Sequence, residues 1–67
     1  MSPIRRMAKR LKALRLERGM TQAALAKRAG ISRMHVIRIE TARQEPTLGV
    51  MERLAKALGV PVTALLE

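Results

Sequence analysis

The sequence predicts an all-α fold, a compact unit of five helices that occupies residues 1–67 as a single domain. Three observations support this prediction. Apolar residues recur at the spacing of an amphipathic helix, most clearly over residues 4–14 and 48–58. Threonine or serine precedes three of the helical stretches and glycine follows three of them, which is the usual order of helix start and stop signals. Residues 21–40 have the pattern of two short helices joined by a tight turn.

The first helix is expected to begin near Pro3, because proline suits a first helical position. Residues 1–3 then form a lead-in or a short disordered end. The helix should stop near Arg18, since Gly19 can take the left-handed conformation that ends helices. Its inward side is formed by Ile4, Met7, Ala8, Leu11 and Leu14.

The centre of the chain, residues 21–40, has the pattern of a helix-turn-helix. Thr21 can cap the second helix and Ser32 the third, because each hydroxyl can accept a bond from a first-turn amide. Gly30 lies where the chain turns between them, and Ala26 is small enough for a close approach of the two helices. The buried side of the pair gathers Leu25, Ala29, Ile31, Val36 and Ile39.

The C-terminal third supplies two more helices. Thr47 is the expected cap of the fourth helix, which runs to Gly59. A brief and very apolar last helix follows over residues 60–66, with Pro61 near its start. The inward stripe of the fourth helix is expected to be Leu48, Met51, Leu54, Ala55 and Leu58.

The composition limits both the core and the chemistry. The chain has no cysteine, one histidine and no Phe, Tyr or Trp, so the core must be aliphatic and neither disulfide nor zinc cluster is expected. It shows no carboxylate pair, no nucleophile beside a base and no Gly-rich phosphate loop, so we expect no enzymatic activity and no cofactor. No apolar run approaches the roughly 20 residues that span a bilayer, and none follows the basic N-terminus as in a secretory signal. We therefore expect a cytoplasmic protein without a membrane partner.

Charge is the second strong feature. Fourteen Lys and Arg against five acidic residues give +9, and residues 1–18 hold seven of the cations against Glu17 alone. Such a surface attracts polyanions, and neutralising DNA phosphates releases counterions. The alternative, that the charge serves only solubility, is disfavoured by its lopsided sign and by the motif.

The helix-turn-helix resembles that of the XRE/Cro-like family (HTH_3), the phage-repressor-type DNA-binding domains. The similarity covers the chain from about residue 7 to residue 66, because the flanking helices match as well as the motif. It implies a lambda-repressor-like domain whose third helix enters the major groove of DNA. The matching positions are Gln22, Leu25, Ala26, Gly30, Ile31, Ser32, Val36, Ile39 and Glu40 in the motif, and Leu11, Leu14, Arg15, Pro46 and residues 54–60 outside it.

The resemblance assigns DNA contacts mainly to the third helix. Arg33 can hold guanine O6 and N7 with two bonds, or a phosphate instead, and Arg38 lies on the same side. Met34 packs on a thymine methyl or, alternatively, fills the core. Gln22 is expected to contact a DNA phosphate. Free backbone amides and the helix dipole at the start of the second helix also favour a phosphate there. The full set expected to contact DNA is Thr21, Gln22, Ser32, Arg33, Met34, His35, Ile37, Arg38 and Arg43.

Three positions of this set have particular expected contacts. His35 is expected at a phosphate or the DNA backbone. Ile37, where family members usually carry a polar residue, contacts a thymine methyl or adds packing. Arg43 lies where the family has a basic phosphate contact, but relatives usually have glycine two residues after Glu40, where this chain has Ala42. Because alanine tolerates positive φ poorly, we expect the third helix to end differently here.

Two structural roles also follow from the resemblance. Arg15 is expected to form a partly buried ion pair with Glu40, the alternative being a solvated charge, since burying one member unpaired would be costly. Part of the last helix covers the core. The rest is a candidate dimer contact, because many family members pair through this region, whereas the alternative is core packing alone: Val60, Val62, Leu65 and Leu66.

We therefore expect a sequence-specific DNA-binding transcriptional regulator, a repressor that binds a palindromic operator as a homodimer. Its partner is double-stranded DNA in a bacterial, phage or plasmid setting, associated with the nucleoid. One alternative is an antitoxin or a restriction–modification controller that also binds a partner protein, such as a toxin. A protein–protein adaptor without DNA is a second alternative. A membrane-active cationic peptide is a remote third, because only the first helix fits it.

Overall fold

A computed structural model describes residues Met1–Glu67 and contains four α-helices and one short 3-10 helix. The all-α class predicted from the sequence is confirmed, but the count of five helices is not. The last element is a single 3-10 turn, in which the Ala64 amide bonds the Pro61 carbonyl and the Leu66 amide bonds the Thr63 carbonyl. No helix has the length and apolar character needed to cross a membrane. The helices are α1 (Pro3–Glu17), α2 (Gln22–Ala29), α3 (Arg33–Glu40) and α4 (Leu48–Leu58), and the 3-10 helix is Val62–Leu65.

Each α-helix is directly preceded by a serine or threonine whose hydroxyl accepts a hydrogen bond from a first-turn amide, an arrangement worth about 1 kcal/mol per cap. Thr21 Oγ1 accepts from the Ala24 amide at 3.0 Å, as the sequence predicts. Ser2, which lies in the expected lead-in, does the same for α1 and accepts from the Arg5 amide at 3.3 Å. The other two caps are Ser32, bonded to the His35 amide, and Thr47, bonded to the Val50 amide.

All four α-helices end in a Schellman motif, in which the residue past the last turn takes a positive φ. Glycine fills this position after α1, α2 and α4, but Ala42 fills it after α3, with φ of 57°. The Ala42 amide donates to the Ile39 carbonyl at 3.1 Å, and the Arg43 amide donates to the Arg38 carbonyl at 2.9 Å. The expectation that α3 would end differently is therefore wrong, because alanine adopts the left-handed conformation despite its Cβ.

The core is aliphatic and joins all the helices. α2 packs against α3 and α4, while α1 packs against α3 and the 3-10 helix. Leu48 does not belong to the inward stripe predicted for α4, because its side chain is 65% exposed. It is the first residue of α4, and the helix turns its apolar side to the core only from Val50 onward. The largest fully buried side chains are Leu11, Leu25, Val36, Ile39, Leu54 and Leu65.

Candidate nucleic-acid interface

The outer side of α3 presents a row of exposed side chains on a rigidly packed helix. Val36 and Ile39 are fully buried and fix the helix on its inner side. Arg33, Met34 and Arg38 are exposed on the other side. Met34 is 51% exposed, so the alternative of a core residue is wrong. The exposed row can therefore meet a ligand without any change in the core.

The two remaining α3 residues of the predicted set are half-buried. His35 and Ile37 flank the fully buried Val36, and each keeps part of its side chain at the surface. Ile37 thus packs partly on the protein and retains an apolar surface next to Arg38. His35 is the chain's one histidine, and no group of His, Cys, Asp and Glu large enough to hold a metal ion is present.

The N-termini of α2 and α3 each leave backbone amides free. In α2, the Thr21 hydroxyl and carbonyl take the amides of Ala24 and Leu25, which leaves those of Gln22 and Ala23 without a partner. In α3, Ser32 bonds the amides of the third and fourth residues in the same way. Free amides at a helix N-terminus, together with the helix dipole, favour an anion such as phosphate.

Glu40, the last residue of α3, is bonded from two other helices. The Arg15 guanidinium of α1 donates to both carboxylate oxygens, from Nε at 2.7 Å and from Nη2 at 3.1 Å. The Gln22 amide nitrogen of α2 donates to Oε1 at 3.2 Å, and Arg15 Nη1 also donates to the Met20 carbonyl at 2.8 Å. The Arg15 and Glu40 side chains are only 8% and 2% exposed. The predicted ion pair is thus a buried junction of α1, α2 and α3.

The junction fixes Gln22 as well as α3. Because its amide nitrogen is bonded to Glu40, the side chain is held against the protein, while its backbone amide stays free. Arg43 follows the left-handed Ala42 and is exposed, and its guanidinium makes neither a hydrogen bond nor an ion pair within the chain. Gln22 and Arg43 therefore stand on different elements, at the start of α2 and in the loop after α3.

Two basic residues, one on α1 and one directly after it, have a role that the sequence analysis missed. Arg10 Nε donates to the Ala64 carbonyl of the 3-10 helix at 3.0 Å. Arg18 Nε donates to the Leu58 carbonyl at the end of α4. Both guanidinium groups tie α1 to the C-terminal elements, so they are not simply part of a solvated positive surface.

The four candidate dimer residues differ in exposure. Leu65 is fully buried in the core and offers no surface to a second chain, because the 3-10 turn directs its side chain inward. Val60 and Val62 are partly buried against the core. Leu66 is 56% exposed. It shares a small groove of about 110 Å³ with Pro3, Ile4, Met7, Glu45, Pro46 and Met51.

Comparison with known proteins places this arrangement among helix-turn-helix proteins. The helix-turn-helix family model HTH_3 matches residues 11–65. The immunity repressor protein of Bacillus phage phi105 is 42% identical over 59 residues, which are 88% of this chain and 41% of the repressor. The chain thus spans about two fifths of that relative's length.

Two solved structures are similar over nearly their whole length. The restriction–modification controller protein C.AhdI from Aeromonas hydrophila superposes with a TM-score of 0.91 and 29% identity, covering 92% of this chain and 94% of the controller. The biofilm master regulator SinR, solved in complex with DNA, superposes with a TM-score of 0.87 and 31% identity, covering 91% of this chain and 98% of the SinR chain in that structure.

Proposed function

The chain belongs to the helix-turn-helix family HTH_3, and from this premise we propose that it is a sequence-specific DNA-binding transcriptional regulator. In this proposal it is a repressor that binds a palindromic operator as a homodimer and acts by occluding an overlapping promoter. Its target is phage, plasmid or chromosomal DNA in the bacterial cytoplasm. The repressor relative from phage phi105 supports the direction of control.

The observation that carries this proposal is the exposed row on α3. Arg33, Met34 and Arg38 are exposed on a helix whose other side is fixed by Val36 and Ile39 in the core. A helix held in this way can enter the major groove with its N-terminal residues against the base edges. The buried pair of Arg15 with Glu40 sets the angle of the helix before DNA arrives, so little ordering free energy is lost on binding.

Each exposed side chain has a physical role in this proposal. Arg33 donates two bonds to guanine O6 and N7, and Arg38 contacts a base or a phosphate one turn later. Met34 and the exposed part of Ile37 pack on thymine methyl groups. His35 contacts the DNA backbone.

Phosphate contacts fix the register of this helix on the duplex without reading sequence. The free amides of Gln22 and Ala23 face one phosphate, and Arg43 holds another from the loop after α3. Thr21 and Ser32 stand at the helix starts beside the free amides, where their hydroxyls contact the backbone as well.

A homodimer would place two α3 helices about 34 Å apart, one turn of DNA, which requires an inverted repeat. The exposed Leu66 and the partly buried Val60 and Val62 are the candidate contact. Leu48, exposed at the start of α4, adds apolar surface that the sequence analysis assigned to the core.

A restriction–modification controller is the second candidate function within the same class. The chain covers 94% of the controller from Aeromonas hydrophila, whereas it covers only 41% of the phage repressor. An antitoxin with a protein partner remains a further alternative. An adaptor without DNA is disfavoured, because the exposed row on α3 carries two arginines and no acid.

Selection of bound sequences from a random duplex pool, at physiological salt, tests the proposal. The test variant is Arg33→Ala/Arg38→Ala. Its matched control is Arg5→Ala/Arg6→Ala, because each variant removes two exposed arginines. We expect the wild type and the α1 variant to enrich one inverted repeat, and the α3 variant to lose it. No enrichment by the wild type, with binding that disappears as salt rises, would overturn sequence-specific regulation.

Sedimentation equilibrium of the protein with the selected duplex then tests the dimer. Two chains per inverted repeat are expected. One chain per duplex would overturn the homodimer while leaving sequence recognition intact. Protein concentration needs a peptide-bond assay, because the chain has no Trp or Tyr.

A further inference from the structure

The largest concave surface of the domain is a cationic cleft between the end of α2 and α4. We call it the α2–α4 cleft. It has a volume of about 540 Å³ and includes no residue of α3. Its lining contains four cations and no acidic residue: Lys27, Arg28, Ala29, Gly30, Arg53, Lys56 and Ala57.

The four cations are not neutralised within the chain. The ion pairs of the structure are Arg15 with Glu40 and Arg18 with Glu17, and neither involves the cleft. The helix dipole explains part of the arrangement, because Lys27, Arg28 and Lys56 stand in the last turns of α2 and α4. Arg53 lies in the middle of α4, where the helix dipole does not stabilise its positive charge. Four like charges around one concavity repel one another until an anion occupies it.

The cleft directly precedes, along the chain, the helix proposed to read DNA. Ala29 and Gly30, which line the cleft, directly precede Ile31 and Ser32 at the start of α3. In a bound helix-turn-helix the first helix crosses the DNA backbone. α2 has eight residues, so its two ends are only about 12 Å apart. Its start carries the free amides of the proposed phosphate site, and its end carries the cleft.

The chemistry of the lining favours phosphate over a protein partner. A stable protein interface needs large apolar or aromatic anchors in a dry pocket. The apolar residues of the cleft are only Ala29 and Ala57, which offer no such anchor. Contacts to a phosphate backbone need only cations and free amides, and they do not require an apolar anchor.

We propose that the α2–α4 cleft holds phosphates of the DNA that flanks the bases read by α3. The cleft adds affinity without adding sequence information, and it lengthens the bound segment beyond the operator half-site. This inference rests on the proposed function, because it assumes that α3 lies in the major groove.

The test compares two triple variants on two duplexes. Lys27→Gln/Arg53→Gln/Lys56→Gln removes three cations of the cleft, and Arg5→Gln/Lys9→Gln/Lys12→Gln removes the same residue types from α1. All six side chains are exposed, and each variant lowers the net charge from +9 to +6, since three cations are removed. One duplex ends at the edges of the selected sequence, and the other extends about 10 bp, one helical turn, beyond each edge.

We expect the wild type and the α1 variant to bind the longer duplex more tightly than the shorter one. The cleft variant should bind both equally. On the longer duplex, the slope of log K against log salt should fall by about 0.9 for each phosphate contact that the cleft variant loses, up to about 2.7 for the three cations of each bound chain. On the shorter duplex the slopes of the cleft variant and the wild type should agree.

Two outcomes would overturn the inference. The first is equal wild-type affinity for both duplexes. The second is an equal loss in both triple variants, which would show an effect of net charge alone. Failure of the wild type to bind even the shorter duplex would instead overturn the proposed function. Thermal unfolding followed by circular dichroism verifies folding, and the single variant Arg53→Gln, away from both helix ends, repeats the test without touching the dipoles.

Discussion

Arg15 and Glu40 are 25 residues apart in the chain, yet they meet through two hydrogen bonds of 2.7 and 3.1 Å. Their side chains are almost completely buried, and Gln22 adds a third bond to the same carboxylate. A charge buried in this way is tolerated only while its partner is present. The pair therefore links the stability of the domain to the placement of α3.

Replacing Arg15 with alanine should strongly destabilise the domain. The variant leaves Glu40 buried with only Gln22 as a donor, and breaking a buried pair costs about 3–5 kcal/mol. A loss of that size removes most of the stability that a core of this size can supply. Urea unfolding followed by circular dichroism measures it.

Two further variants separate the pair from a general loss of charge. Lys9→Ala removes an exposed cation of the same helix and should change stability little. Arg15→Lys keeps the charge but loses the planar fork, so its stability should lie between those of the wild type and Arg15→Ala. Equal midpoints for Arg15→Ala and Lys9→Ala would contradict a stabilising pair.

Replacing Ala42 with glycine should stabilise the domain by about 1 kcal/mol, because the Cβ at a left-handed position is disfavoured by about 1–2 kcal/mol and glycine's extra chain entropy offsets part of the gain. Ala42 has φ of 57° and follows a helix whose three counterparts end at glycine. Thermal unfolding of the variant and the wild type under the same conditions gives the difference.

The reverse exchange provides the control. Gly30 has φ of 70°, and a Cβ added there would meet nothing within 4 Å, so Gly30→Ala tests the backbone conformation alone. It should destabilise by a similar amount. Ala13→Gly, on the exposed side of α1, should also destabilise, since glycine is a poor residue within a helix. Stabilisation by Ala13→Gly would point to a cause other than the φ of Ala42.

The starts of α2, α3 and α4 and the ends of α1, α2 and α4 could be predicted because the signals are local. A hydroxyl residue before the first turn and a glycine after the last turn mark the ends of a helix, whatever packs around it. Thr21, Gly30 and Thr47 are such markers. The pair of Arg15 with Glu40 could be predicted only from the family resemblance. The left-handed Ala42 could not be predicted, since alanine usually avoids that conformation and it is accompanied here by bonds to the end of α3.

The contacts of Arg10 and Arg18 could not be predicted either, for a different reason. Their acceptors are backbone carbonyls at Ala64 and Leu58, 54 and 40 residues away. Every residue carries a carbonyl, so no residue type marks the partner. The prediction that Leu48 is buried was wrong because helical spacing identifies one side of a helix but not where along its length the core begins. The DNA contacts of Arg33 and its neighbours stay predictions.

Replacing Arg18 with alanine should lower the free energy of unfolding by about 1 kcal/mol. A hydrogen bond from a charged donor contributes more than this when it is buried and less when it is exposed, and this bond lies between the two cases. The Arg18 side chain is 36% exposed, and it bonds the Leu58 carbonyl at the end of α4. Arg6→Ala is the matched control, since Arg6 is an exposed arginine of α1, the helix that Arg18 directly follows. Equal urea midpoints for the two variants would show that the bond to Leu58 contributes nothing.

Replacing Arg33 with alanine should weaken binding to the selected duplex by about 1–3 kcal/mol and relax the preference at one base pair. The reason is that a guanidinium bonded to both acceptors of guanine discriminates against the other bases at that position. Arg33 is exposed at the start of α3, so its removal should leave the unfolding midpoint unchanged. Titrations of the variant on the selected duplex, on its single-base substitutions and on a random duplex measure both effects. If affinity for the selected and random duplexes falls by the same factor, Arg33 holds a phosphate, and base reading must be assigned to Arg38 instead.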